Sequence, residues 1–215
     1  MKKLVFMSMI MQKLTGPYYD TTESSKIKLS HKFYFPISVK LAESLEKGDE
    51  VTICVLKMTD GVTHNGLNNY DLNFKQLKEE VSEIAGMIEA KIDFKEIESD
   101  FTETKDAFGK RFMDMFDMLE PNCTIYADVT FGTKPSSFLI MNILYFAEKF
   151  YDADIDSIVY GKVLYKDDGD KTKIDPETAK VCDVTILYLL NNLTSVMNVP
   201  DGDAAKKTIK KFFDL

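Results

Sequence analysis

The chain has 215 residues, 45% of them hydrophobic, with 27 basic against 35 acidic side chains and a formal net charge of −8. Such a length supports one packed domain or two small ones, and such an apolar fraction excludes a disordered chain. The acidic balance excludes a broad nucleic-acid surface, because a phosphate backbone rewards dense lysine and arginine, and Arg111 is the sole arginine.

Lys3 to Met11 is a continuous apolar run bounded by Thr15-Gly16-Pro17, the pattern of a central strand covered on both faces. Met1-Lys2-Lys3 ahead of it imitates a secretory signal, but Ser8, Gln12 and Lys13 interrupt the apolar stretch and no small-residue cleavage site follows. No apolar run approaches the roughly 20 residues of a spanning helix. The expectation is a buried first strand in a cytoplasmic protein without membrane contact.

Tyr18 to His31 reads as a loop, and Phe35, Ile37, Val39, Leu41 and Leu45 recur at helical spacing up to the stop at Gly48-Asp49. Glu50 to Met58 is a second buried strand, closed by a turn at Thr59-Asp60-Gly61. Leu72 to Met87 carries a helical stripe, and Lys91 to Ile97 alternates as a strand near a sheet edge. Glu103 to Leu119 is a helix ended by Pro121-Asn122, with its methionines expected at core-facing positions. Thr124 to Thr130 is a strand, Ser136 to Phe150 a helix and Ser157 to Tyr165 a strand. A charged, hairpin-like stretch from Lys166 to Asp175 follows. Ala179 to Met197 is ambiguous between strand and helix at its start, and Asp203 to Leu215 reads as a basic amphipathic helix.

Strands alternating with helices of ten or more residues predict an α/β, Rossmann-like domain, a mostly parallel sheet flanked by helices. Residues 1–165 would form the ligand-binding domain, and 166–215 an extension that completes the fold. In such sheets ligands bind beyond the carboxyl ends of the strands, so the loops after Met11, Met58 and Thr130 should share one edge.

Three scattered cysteines without CxxC spacing are expected to be buried, reduced thiols. His31 and His64 match no ligand spacing and read as loop residues, and Asp152-Ala153-Asp154-Ile155-Asp156 lacks the glycine and distal glutamate of a calcium loop. No metal and no cofactor are expected. Walker, Gly-x-Ser-x-Gly, His-Glu-x-x-His and Gly-x-Gly-x-x-Gly patterns are all missing from the sequence.

Asp128-Val129-Thr130-Phe131-Gly132-Thr133-Lys134-Pro135-Ser136 is the segment with chemistry: a strand end, a glycine turn, hydroxyls and a lysine, then at once a helix. Gly132 lets a ligand approach the backbone, the helix start offers free amides, and Lys134 adds a charge, so phosphate is the natural guest. The plainer reading is equally open: Thr130, Thr133 and Ser136 cap the helix and do nothing more.

This segment resembles the signature of the CRISPR-associated Rossmann-fold (CARF) domains, an Asp-x-Thr-x-Gly-Thr-Lys-Pro turn. Asp128, Thr130, Gly132, Thr133, Lys134 and Pro135 match it position by position, while Phe131 stands where many members carry glycine or histidine. The resemblance spans Met1 to Tyr165. It implies a homodimeric sensor of cyclic oligoadenylate from type III CRISPR defence, with no long nucleic acid as partner; nothing in the sequence fixes the ring size, and tetra-adenylate is taken over hexa-adenylate as a guess. The ligand would be held by Ser8, Met9, Gln12 and Tyr18 after the first strand, by Thr59 and Asp60 after the second, and by Thr130 to Ser136, namely Thr130, Phe131, Gly132, Thr133, Lys134, Pro135 and Ser136.

Three functions remain open on the sequence. One is a sensor that allosterically controls an effector domain beyond Leu215; family chains commonly continue into one, and the last helix ends without a C-cap. Another is a slow, metal-independent ring nuclease in which Lys134, Thr130 and Ser8 would be the catalytic residues. The third is a Rossmann-like protein binding a different phosphorylated metabolite. The Arg-x4-6-His pattern of the ribonuclease effectors that accompany such sensors has no counterpart, since no histidine follows Arg111.

Overall fold

The computed structural model describes residues 1–60, 63–100, 102–168 and 171–213. Met1–Asp183 form one compact unit and Val184–Leu215 another. The first unit contains β1 (Lys2–Ser8), α1 (Pro36–Ser44), β2 (Glu50–Asp60), α2 (His64–Ile88), β3 (Lys91–Asp100), α3 (Lys105–Phe116), β4 (Thr124–Asp128), α4 (Lys134–Tyr151), β5 (Asp154–Asp168) and β6 (Lys171–Asp183). The second contains α5 (Thr185–Val196) and α6 (Gly202–Phe212).

The six strands form one sheet in the order β3-β2-β1-β4-β5-β6, parallel throughout except for β6, which runs antiparallel to β5. This is the expected α/β, Rossmann-like architecture. The chain steps outward from β1 to β3 and then returns to place β4 on the other side of β1. The order therefore reverses between β1 and β4, whose carboxyl ends open a crevice at a topological switch point.

Burial follows from this order. β1 is central and buried on both faces from Lys3 to Ser8. Val5 and Met7 enter the core built with Ile37, Leu41, Leu77 and Val81 of α1 and α2. By the two-residue period, Leu4 and Phe6 point to the opposite face. Lys3, also buried, pairs its ammonium with Asp49 at 2.7 Å. β3, at the edge, alternates half-buried Ile92 and Phe94 with exposed neighbours, as its sequence predicts.

Several elements run further than the sequence pattern. Thr63 caps α2 by accepting the Gly66 amide at 3.2 Å, and buried Tyr70 anchors the polar first turns, so this helix starts at His64 and not near Leu72. His64 is accordingly a helix residue, while His31 stays in a loop and faces Glu83 at 3.3 Å. β2 continues through Thr59 and Asp60, where a turn was expected; Gly61 lies outside the described residues.

The charged stretch 166–175 extends the strands on both sides: Lys166 pairs with Lys173 and Tyr165 with Ile174 in the β5–β6 ladder. Pro176 is tolerated because β6 is the sheet edge and needs few amide donors there. The ambiguity at Ala179 resolves as strand to Asp183 and helix from Thr185. Cys54 and Cys123 are buried free thiols, and burial pushes the Cys54 thiol up to about 12; Cys182, on the edge strand, is only half-buried. Met115 is buried as expected, but Met113 is 52% exposed. Among the described residues no helix is long and apolar enough to cross a membrane.

Candidate functional site

The carboxyl ends of β1, β2 and β4 meet at a cleft of about 380 Å³. Its walls are Ser8 to Gln12 after β1, Leu56 and Met58 of β2, and Thr130 to Thr133 with Ser136 after β4. The carboxyl ends of the three strands therefore share one edge, as parallel pairing requires, while residues 61 and 62 of the loop after β2 lie outside the described residues.

The turn after β4 is braced from beneath by Asp128. One oxygen of this fully buried carboxylate accepts the Thr130 amide at 2.8 Å, and the other accepts the Ile37 amide in the first turn of α1 at 3.1 Å. Burial raises its pKa to about 6, against the lowering effect of these hydrogen bonds. Thr130 is tied on its other side, its hydroxyl accepting the Gly161 amide of β5 at 2.8 Å. Gly161 has no room for a side chain, since a Cβ would meet the Tyr19 hydroxyl and Pro36.

Gly132 has φ +95°, a conformation that favours glycine, and it lies against β1. A Cβ there would sit 2.5 Å from the Ser8 Cβ and 2.7 Å from its Oγ. Ser8 itself is 4% exposed, lines the cleft, and its hydroxyl has no hydrogen-bond partner among the described residues. Thr133 caps α4: its hydroxyl accepts the Ser136 amide at 3.4 Å and pairs with the Ser136 hydroxyl at 3.0 Å. The amides of Gly132, Thr133 and Lys134 donate to no protein group among the described residues. Capping and free amides therefore coexist in the one turn.

Lys134 is the first residue of α4 and exposed, and it is not part of the cleft wall; Pro135 follows it in the first turn. Met9 is buried, and Gln12 is exposed at the rim. Tyr18 is half-buried, its hydroxyl 2.6 Å from that of Thr15. Thr59 lies half-buried in β2, apart from the cleft lining, and the side chain of Asp60 lies outside the described residues. Phe131 lines the cleft and packs edge-on against Phe35 ahead of α1, with ring centres 5.9 Å apart.

The sequence pattern gives no hint of what holds the loop after β1. Two side-chain amides of α2 do so: Asn73 donates to the carbonyls of Ile10 and Gln12, both at 2.9 Å, and Asn69 donates to that of Met11 at 3.3 Å. Their four-residue spacing on one helical face is the only local signal.

Chemically the site offers an anion three unpaired amides, a buried hydroxyl and a backbone approach opened by Gly132, at a helix start that favours negative charge. No family model matches the chain, and no curated protein matches it significantly.

Proposed function

We propose that the switch-point cleft binds the phosphates of a cyclic oligoadenylate, and that the chain is a CARF-type sensor that works as a homodimer to control an effector. The observation that carries this reading is Ser8. A buried hydroxyl without a partner costs about 1–3 kcal/mol, and this one stands at a cleft wall beneath a turn in which the amides of Gly132, Thr133 and Lys134 also find no partner among the described residues. A ligand with several acceptor oxygens would use the free donors.

The dimer enters through symmetry. One cleft of about 380 Å³ takes a nucleotide-sized group, not a ring of four or six. An isologous pair of chains presents the same turn twice, to opposite phosphates of a ring that itself has two-fold symmetry. Lys134, exposed at the start of α4, is free in this arrangement to reach a ligand phosphate from the rim.

Ring opening is the second reading, favoured by the same unpartnered Ser8 hydroxyl beside the cleft. Here the 2′-hydroxyl of the ligand is the nucleophile, its oxygen attacking the adjacent phosphorus as the bond to the 5′-oxygen breaks. The protein would position the groups and stabilise the developing charge.

Equilibrium dialysis against cyclic tetra- and hexa-adenylate, followed by chromatography of the recovered ligand, tests both readings. Retention of an intact ring supports the sensor, and recovery of linear fragments supports the nuclease. Retention of neither ring contradicts both, and leaves a phosphate cleft for a different metabolite.

A further inference from the structure

The helix α6 of the second unit takes no part in the switch-point cleft. Asp201 caps it by accepting the Ala204 amide at 2.9 Å, and none of its residues is fully buried. Its two sides differ sharply in chemistry. Lys206, Lys207, Lys210 and Lys211 recur at i, i+1, i+4 and i+5 along one side and are all exposed, whereas Ala205, Ile209 and Phe212 recur at i, i+4 and i+7 along the other. Ile209 is half-buried, but Phe212 and Phe213 are 46% and 37% exposed.

The lysine side works against the helix itself. Lys75 on α2 and Lys110 on α3 each face a carboxylate four residues on. In α6 the residues four on from Lys206 and Lys207 are Lys210 and Lys211, like-charge pairs that weaken a helix. Asp203 lies in the same helix and Asp214 follows it in the sequence, yet none of the four lysines forms an ion pair among the described residues. Lys210 and Lys211 suit the negative end of the helix dipole, but that effect is confined to the last turn and leaves Lys206 and Lys207 outside it. An anionic partner would relieve the repulsion. Directly after Lys211, Phe212 and Phe213 pack edge-to-face on each other, ring centres 5.2 Å apart, as an exposed apolar knob. Rings engaged with each other suit an acyl boundary better than base stacking, and the helix has no arginine, the residue best matched to a nucleic-acid backbone.

We propose that α6 lies on the surface of an anionic lipid membrane, its lysines against the headgroup phosphates and Ile209, Phe212 and Phe213 at the acyl boundary. A helix lying in the interface needs no spanning run, so the expectation of a chain without membrane contact is set aside. The inference concerns the second unit alone and does not depend on what the switch-point cleft binds.

Flotation of the full chain with lipid vesicles tests it, with equimolar phosphatidylglycerol and phosphatidylcholine set against pure phosphatidylcholine. The expected result is flotation with the anionic vesicles, reversed by rising salt, and none with the zwitterionic ones. Lys206→Gln together with Lys210→Gln removes a like-charge pair at no cost in helix propensity, so the helix should persist while affinity for the anionic vesicles falls about tenfold or more. The chain has no tryptophan, so Phe213→Trp supplies a single fluorescent reporter, whose emission should shift to the blue with anionic vesicles only. No flotation, flotation indifferent to lipid charge, unchanged affinity in the lysine variant, or emission that does not shift overturns the proposal. So does retention on single-stranded polyuridylate without flotation, which would make the lysines a nucleic-acid contact.

Discussion

Ser8 and Gly132 show how two small residues shape a binding turn. The turn closes onto β1 so tightly that only a hydrogen fits between the Gly132 backbone and the Ser8 side chain. Gly132→Ala adds a methyl group 2.5 Å from the Ser8 Cβ at φ +95°, so it should cost about 1–3 kcal/mol in stability. Urea unfolding reads this directly, and an unchanged midpoint would contradict the packing described. Ser8→Ala has the opposite signature. It removes a buried hydroxyl that has no partner among the described residues, so stability should hold or rise slightly while ligand affinity falls. A hydroxyl that served the fold alone would lower stability when removed. The turn was legible in the sequence because glycine, hydroxyls and lysine fall consecutively. Ser8 entered only through the family resemblance and not through a local pattern, since its isolation depends on Gly132, far away in sequence and adjacent only through the pairing of β1 with β4.

The first turn of α1 illustrates what an element needs from its neighbours. Phe35 provides no side-chain cap, and two buried carboxylates do the work instead. Asp128 accepts the Ile37 amide, while Glu80 of α2 accepts the Tyr34 amide at 2.6 Å and the Ser38 hydroxyl at 2.7 Å. Both groups suit the positive end of a helix dipole. Burial nonetheless raises the Glu80 pKa from 4.5 to about 7, the desolvation cost outweighing its hydrogen bonds. The folded chain thus keeps a proton that the unfolded chain has lost, and the Glu80 contribution to stability falls as pH rises from 4.5 to about 7. Glu80→Gln retains an acceptor for Tyr34 and carries no charge, so it should flatten that pH dependence and raise stability at pH 8. Asp128→Asn should instead lower stability, and because burial raises the Asp128 pKa to about 6 it too should flatten the pH dependence. Both of its oxygens accept backbone amides, an asparagine NH₂ accepts neither, and stability should drop by about 1–3 kcal/mol. Thermal melts at pH 5 and pH 8 separate the two variants, and equal responses would contradict these assignments. None of this was readable from helical periodicity, which marks Ile37, Val39 and Leu41 as core but is silent about amides that find partners from α2 and β4.

At the scale of the whole sheet, the sequence pattern is clear where burial is two-sided. β1, β2 and β4 are continuous apolar runs because each lies between two strands under helices on both faces, and their parallel order forces three loops to one edge. It is least clear at the β5–β6 hairpin, whose charged residues pair across an edge and whose direction depends on contacts no local pattern encodes. That hairpin nevertheless contributes Tyr160 and Tyr165 to the lining of a cleft of about 700 Å³.

The switch-point cleft, doubled by a two-fold axis, is proposed to bind a cyclic oligoadenylate. Calorimetric titration of the full chain with cyclic tetra-adenylate, and with cyclic hexa-adenylate in parallel, tests it most directly. Saturable binding at one ring per two chains, weakened in Ser8→Ala, is the expected result. Binding of one ring per chain would contradict the shared site, and no heat with either ring would contradict the messenger reading itself.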